Sequence, residues 1–219
     1  MAALLIANRA VIDARITLPL VGVWHADLIV DGETEISGSQ TLTIGDGSSW
    51  KGTATHVGTF VGSARLRLVG GAAGLGKLAK AIGYSRPTVR TVLNDLIGAA
   101  GETLSSASTA SLLSLSMDGW ATLARPVMIQ IKALLETAGP VGTVYQMQSD
   151  GTLFCGSPSF ADSALKDYQV ISEDAQARRL EIGSESPSLL PGTVLEGRRI
   201  SYVEHVIGES KVRSVALYE

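Results

Sequence analysis

The sequence predicts an α+β protein that is mainly β: small barrels of antiparallel strands with a two-helix middle portion. Three observations carry this. Residues 9–70 alternate apolar and polar side chains at period two, punctuated by turn residues. Residues 85–101 carry apolar side chains at helical spacing. From 141 onward strand and turn signals return. The expected division is 1–70 as an N-terminal β-barrel and 71–140 as a glycine-rich loop plus helical middle. Residues 141–219 would be a C-terminal β portion, either a second barrel or the completion of the first.

The first strands show the clearest alternation. Ile12, Ala14, Ile16 and Leu18 interleave with Asp13, Arg15 and Thr17. Trp24, Ala26, Leu28 and Val30 interleave with His25, Asp27 and Ile29. Successive side chains on a strand point to opposite faces, so each run has one face in and one out. Asp31-Gly32, Gly45-Asp46-Gly47, Gly58 and Gly62 punctuate the runs, leaving strands at about 40–44, 50–57 and 60–69. Gly52, Gly58 and Gly62 mark places where bends or bulges are expected.

Residues 70–84 read as a glycine-rich connector. A helix follows, with Ser85 as its expected cap and Pro87 in its first turn, where a missing N–H costs nothing. Val89, Val92, Leu93, Leu96, Ile97 and Ala100 fall on one face, and Gly101 suits the position that stops the helix. Residues 103–116 read as a connector. A second helix is started or kinked by Pro126, striped by Met128, Ile131, Leu134 and Leu135, and stopped by Gly139-Pro140. Val141–Gln148 and Thr152–Gly156 flank a hairpin signal at Ser149-Asp150-Gly151. Residues 178–183 form a short strand, 187–192 a turn, and Thr193–Ile207 with Lys211–Tyr218 a long terminal hairpin across Gly208-Glu209-Ser210.

Composition narrows the function classes. A chain of 219 residues buries roughly 70% of its unfolded surface, enough for a core without staples. Charged residues make up 18%, and the mean hydropathy is positive. That balance fits a surface partly covered by partner subunits, and equally a β domain rich in Val, Ala and Thr. The net charge is −3, from 18 basic and 21 acidic residues without a Lys/Arg block, so the footprint of a phosphate-gripping protein is missing. The single cysteine, Cys155, excludes a disulfide scaffold and a cysteine-based zinc site, and reads as a small buried hydrophobe. The opening MAALLIANRAVIDAR lacks a basic n-region, and its apolar run breaks at Asn8-Arg9, unlike a secretory signal. No apolar run approaches the ~20 residues of a membrane helix. The expectation is a protein kept in a cytoplasm, or in a particle assembled there.

One motif points to chemistry. Gly71 to Lys77, GAAGLGK, matches G-x-x-x-x-G-K between a strand and a possible helix. Position 78 is Leu, whereas Mg²⁺ binding needs a Ser or Thr hydroxyl there. The flanking strands alternate, whereas a parallel nucleotide-binding sheet is apolar on both faces. A surface loop is therefore the expected role. His25, His56 and His205 each lie in a strand without a histidine at i+2 or i+4, although His25 and His56 offer a cross-strand pair. No G-x-S-x-G elbow appears. Glu33/Glu35 and Glu173/Asp174 read as solvated charges in polar turns. Arg178-Arg179 and Arg198-Arg199, flanked by acids, read as rim ion pairs, and Arg65 and Arg67 share one strand face. No residue is assigned a catalytic, cofactor-binding or metal-ligating role.

Several segments together resemble the baseplate and tail-tip hub proteins of tailed bacteriophages. They are LPLVGVWHADLIVDG (18–32), TLTIGDGSSWKGTATHVG (41–58), RLRLVGGAAGLGK (65–77), VLNDLIGAAGETL (92–104), VYQMQSDGTLFCG (144–156), and the close LLPGTVLEGRRISYVEHVI…KVRSVALYE (189–219). The resemblance lies in layout rather than in any one motif. It implies a non-enzymatic hub of small barrels with an inserted α/β portion, assembled as a ring, commonly a homotrimer. It implies a tail-tube or distal tail protein above, a tip or spike protein below, and a channel for the tape-measure protein and DNA. It places the protein in the virion tail, assembled in the host bacterial cytoplasm, with no sequence-specific nucleic-acid binding. The chain is short for a contractile-tail hub and shows no appended enzyme or spike domain, which favours a compact hub of a simpler tail. Two other classes remain open on the residues alone. One is a nucleotide-binding enzyme using Gly71, Gly76 and Lys77. The other is a stand-alone barrel that takes carbohydrate or peptide on Trp24, Trp50 or Trp120.

Overall fold

A computed structural model describes residues 4–33, 35–45, 47–208 and 212–219. The chain divides into two units. The first joins the residues up to Gly70 with Ser159–Glu219, and the second is Gly71–Pro158.

The first unit is β throughout. Its first six strands are β1 (Leu4–Ile6), β2 (Arg9–Pro19), β3 (His25–Asp31), β4 (Gly38–Ile44), β5 (Ser49–Phe60) and β6 (Ser63–Gly70). They pair antiparallel in the order β1-β4-β5-β6-β3-β2, and β1 also pairs with β2, which closes a six-stranded barrel. The predicted alternation fills its interior: Ala14, Ile16, Leu18, Ala26, Leu28, Val30, Leu66 and Leu68 are buried. Each fully buried large aliphatic side chain stabilises by about 1.5–3 kcal/mol. Trp24 and Trp50 are also buried and meet edge to face, with ring centroids 5.5 Å apart and planes at 62°. Gly52 admits this pair, because a Cβ there would press on the Val69 carbonyl and the Trp24 ring.

The returning chain adds β11 (Ala161–Asp162), β12 (Gln169–Asp174), β13 (Arg179–Ser184), β14 (Thr193–Leu195), β15 (Arg198–Ile207) and β16 (Val212–Tyr218). β15 pairs antiparallel with β2, so the sheet continues outward from the barrel as β2-β15-β16-β13-β12. The result is one run of eight strands, β5-β6-β3-β2-β15-β16-β13-β12, in which every neighbouring pair is antiparallel.

The second unit holds the helices. α1 (Val89–Ala100) buries all six residues expected on its inner face, and packs on α3 (Val127–Ala138). Gly101 takes φ 79, and the N–H groups of Gly101 and Glu102 bond back to Gly98 and Ile97. This pairing satisfies the last carbonyls of the helix. Pro126 occupies the N-cap of α3 and Gly139 its C-cap. The hairpin of β9 (Val144–Met147) and β10 (Leu153–Gly156) turns at Gly151, φ 81. This hairpin lies in the second unit, not with the C-terminal strands. Two elements have weak sequence signals: β7 (Ile82–Ser85) paired with β8 (Gly119–Thr122), and the single-turn α2 (Ala110–Leu113).

Several local expectations are corrected. Ile12 is exposed, because the β2–β3 register shifts between Val11 and Asp13 and leaves it as the extra residue of a bulge. The cap of α1 is Thr88, which accepts from the Thr91 N–H at 3.2 Å, so Pro87 precedes the cap rather than following it. Met128 is half exposed, and Val127 takes its place in the α3 stripe. Glu173 and Asp174 end strand β12 rather than forming a turn. The long strand expected from Thr193 breaks at Glu196-Gly197, both with positive φ, into the tight β14–β15 hairpin. Asp46 and the terminal-hairpin turn Glu209-Ser210, with Lys211, lie outside the described residues.

Candidate functional site

The loop Gly71–Lys77 is held in a shape that binds an anion, and the anion is the chain's own. The N–H groups of Ala72 and Gly74 donate to the two carboxylate oxygens of Glu102, at 2.7 and 2.8 Å. Gly71 (φ +69) and Ala73 (φ 56) adopt left-handed backbone, which turns successive N–H groups to one side. Gly74 tolerates no side chain, since its Cβ would collide with the Ala100 carbonyl at the end of α1. Lys77 donates its ammonium to that same carbonyl at 3.2 Å. Glu102 is only 8% exposed. The space a phosphate would need is thus filled by Glu102, and the lysine that would reach it is turned to the helix end. The motif works as a clasp between the loop and the C-terminus of α1. Sequence reading missed Glu102, although its place directly after the stop glycine was the available signal.

The three histidines do not converge. His56 faces Arg67 across β5–β6, whereas His25 faces Thr17 and Val69, so the expected His25–His56 pair does not form. Burial, then Arg67, holds His25 below the ordinary histidine value. His205 is fully buried. Its Nε2 bonds the Leu189 carbonyl at 3.0 Å and its Nδ1 meets Ser214 Oγ at 2.7 Å. Nε2 must carry the proton, because a carbonyl only accepts, so Nδ1 accepts from the serine. The pair has the spacing of a base and its nucleophile, yet Ser214 is 1% exposed and meets no solvent. Burial lowers His205 to about 4. It also pushes the Cys155 thiol up to about 12, the state of a packed, unreactive cysteine. Among the described residues no group of three or more His, Cys, Asp or Glu side chains is placed to hold a metal. No described helix is long and apolar enough to cross a membrane.

Trp24 and Trp50 stack within the barrel, so neither offers a ring to a ligand. Trp120 is half-buried in β8, with its Nε1 shielded.

What the first unit does expose is its sheet. One face of the eight-stranded run is the barrel interior and its continuation, with Val203, His205, Ala216, Leu180 and Ile182 buried. The other face is polar. There Arg67 forms a two-pronged bond to Asp27 at 2.7 and 2.8 Å, and Arg65 lies over the Phe60 ring at 5.4 Å. Arg15 approaches Glu204 at 3.8 Å, and Arg213 meets Glu181 at 2.5 Å. A concavity of about 840 Å³ opens on this face between β2 and β5. Arg198 joins Glu173 and Glu196 at the end of the sheet, the rim pairing its acidic flanks suggest.

Both ends of the run are open. β4 pairs with β5 only up to Ala54, and beyond it no strand lies beside Thr55–Phe60 on that side among the described residues. β12, at the other end, is exposed along its whole length.

No family model and no curated protein matches the sequence. Solved structures do match. The prophage MuSo2 43 kDa tail protein from Shewanella oneidensis aligns with a TM-score of 0.67 at 10% identity, over 100% of this chain and 97% of that one. The tail protein from Neisseria meningitidis MC58 aligns with a TM-score of 0.62 at 14% identity, over 100% and 96%. The E. coli c3393 protein is described as a component of the type VI secretion system with structural similarity to T4 bacteriophage tail proteins gp27 and gp5. It aligns with a TM-score of 0.63 at 13% identity, over 99% of this chain and 76% of that one. The fold is therefore that of phage tail proteins and of their counterparts in type VI secretion.

Proposed function

We propose that this protein is a non-enzymatic structural component of a phage tail: the baseplate or tail-tip hub. It forms a ring that joins the tail tube to the tip or spike and surrounds the channel for the tape-measure protein and DNA. The tail-protein fold across the whole chain supports the class. The observation that carries the ring is the eight-stranded run with an open edge at each end. With an even number of antiparallel strands, β5 and β12 run in opposite directions. When copies are related by an axis along the strands, β12 of one copy therefore meets β5 of the next antiparallel, and the sheet continues. Such a head-to-tail contact closes into a ring when the rotation allows. Three copies are the expected number. Partners are a tail-tube or distal tail protein and a tip or spike protein, and the site of action is the virion tail, after assembly in the host cytoplasm.

The enzyme reading loses support from the filled loop, and the carbohydrate reading from the two stacked tryptophans. Electron microscopy of the chain co-expressed with its tail-tube protein tests the proposal. Ring-shaped averages with an axial hole are expected. Separate monomers beside intact tube would contradict it. Titration with ATP is expected to give no binding, before or after Lys77→Ala.

A further inference from the structure

The ring reading leaves open which face of the sheet lines the channel, and how that wall treats what passes. One face of the run is already covered. β1 and β4 close the barrel behind it, and the chain around Leu189 lies against His205 behind β15. On the polar face the arginine side chains stay open, 60% exposed at Arg15, 44% at Arg67 and 56% at Arg213. In a small ring the layers behind the sheet fit outside it, which turns the bare face toward the axis. Resting on the ring reading, we infer that the polar face of the eight-stranded run is the channel wall, and that paired charges make it non-adhesive to a passing polyanion.

The pairing supports this directly. Apart from Lys51 at the start of β5, the cations on the face are arginines, the side chains best suited to grip phosphates. Four of them face carboxylates: Arg67 pairs with Asp27, Arg213 and, more loosely at 4.0 Å, Arg179 share Glu181, and Arg15 lies loosely beside Glu204. Arg65 is laid over Phe60. Asp27 is held below the usual carboxylate range by its hydrogen bonds to Arg67, and Glu181 by its bond to Arg213. The carboxylates therefore stay charged and keep their arginines engaged near neutral pH. A bare arginine wall would hold duplex DNA by counterion release, and a bare acidic wall would repel it. Alternating pairs do neither.

The test is duplex DNA binding by the full chain, read by fluorescence anisotropy against salt, with native mass measured on the same samples. The wild type is expected to show no salt-dependent binding. Asp27→Asn with Glu181→Gln frees three arginines, Arg67, Arg179 and Arg213. It is expected to bind at least about tenfold more tightly at low salt, with affinity falling as salt rises. Adding Arg67→Gln, Arg179→Gln and Arg213→Gln to that variant should abolish the gain, which separates freed charge from misfolding. Tight salt-dependent binding by the wild type, or an unchanged double variant, would overturn the inference. Native mass reports separately on the ring, so the two can fail independently.

Discussion

At the residue scale, Glu102 is the group on which the second unit most depends. It satisfies the part-buried N–H of Ala72 and the buried N–H of Gly74, and an orphaned buried donor costs about 1–3 kcal/mol. Glu102→Ala should lower stability by roughly 2–4 kcal/mol in urea unfolding, and Glu102→Gln by less, because the amide keeps one accepting oxygen. Equal losses for the two would mean that the clasp is not the cause. His205 gives a pH signature. Its value is about 4 in the folded chain against an ordinary 6.5, so the unfolded chain takes up the proton first as pH falls. The stability it contributes is complete above about 6.5 and is lost between there and about 4, on the order of 3 kcal/mol. Melting temperature followed across that range should fall, and His205→Leu should flatten this part of the profile. A profile of the same slope in the variant would assign the loss to other groups. The glycines and lysine of the loop were visible in the sequence. Their partner was not, because Glu102 stands 25 positions beyond Lys77 and only the fold brings the two together.

Elements were legible where the local pattern and the tertiary environment agreed. β3 and the inner face of α1 follow their periodicity residue for residue. β2 departs from it at Ile12, because a bulge shifts the register by one and no composition signal marks it. β7, β8 and β12 escaped for a different reason. They are short or exposed on both faces, so no alternation is imposed on them. β12 and the far half of β5 are also the elements that the proposed ring would join. An unpaired edge is normally blunted by charge, proline or a bulge. β12 carries a bulge near Ile171 and two terminal acids, whereas Thr55–Phe60 begins at a bulge but has no lysine, acid or proline. Thr55→Lys with Thr59→Lys, both at exposed positions, should therefore abolish self-association while shifting monomer stability by no more than about 0.5 kcal/mol each, as ordinary surface changes do. Analytical ultracentrifugation beside thermal melting checks both halves. A variant that still assembles would remove the β5 edge from the interface.

At the scale of the whole molecule, the layout of strands, helical middle and strands could be read from the sequence. The separation into units could not. The chain leaves the barrel at Gly70, builds the helical unit, and returns at Ser159 to extend the sheet it left. The return strands pair with β2, laid down nearly two hundred residues earlier, and no local pattern encodes a contact of that range. This long-range pairing extends the closed barrel into a sheet with open edges, which on the proposed reading is the means of joining copies. The most direct measurement is the native mass of the purified chain, alone and with its tail-tube partner. A closed assembly of about three copies, formed alone or on the partner, is the expected result. A chain that remains monomeric in both conditions would contradict the ring and the function built on it.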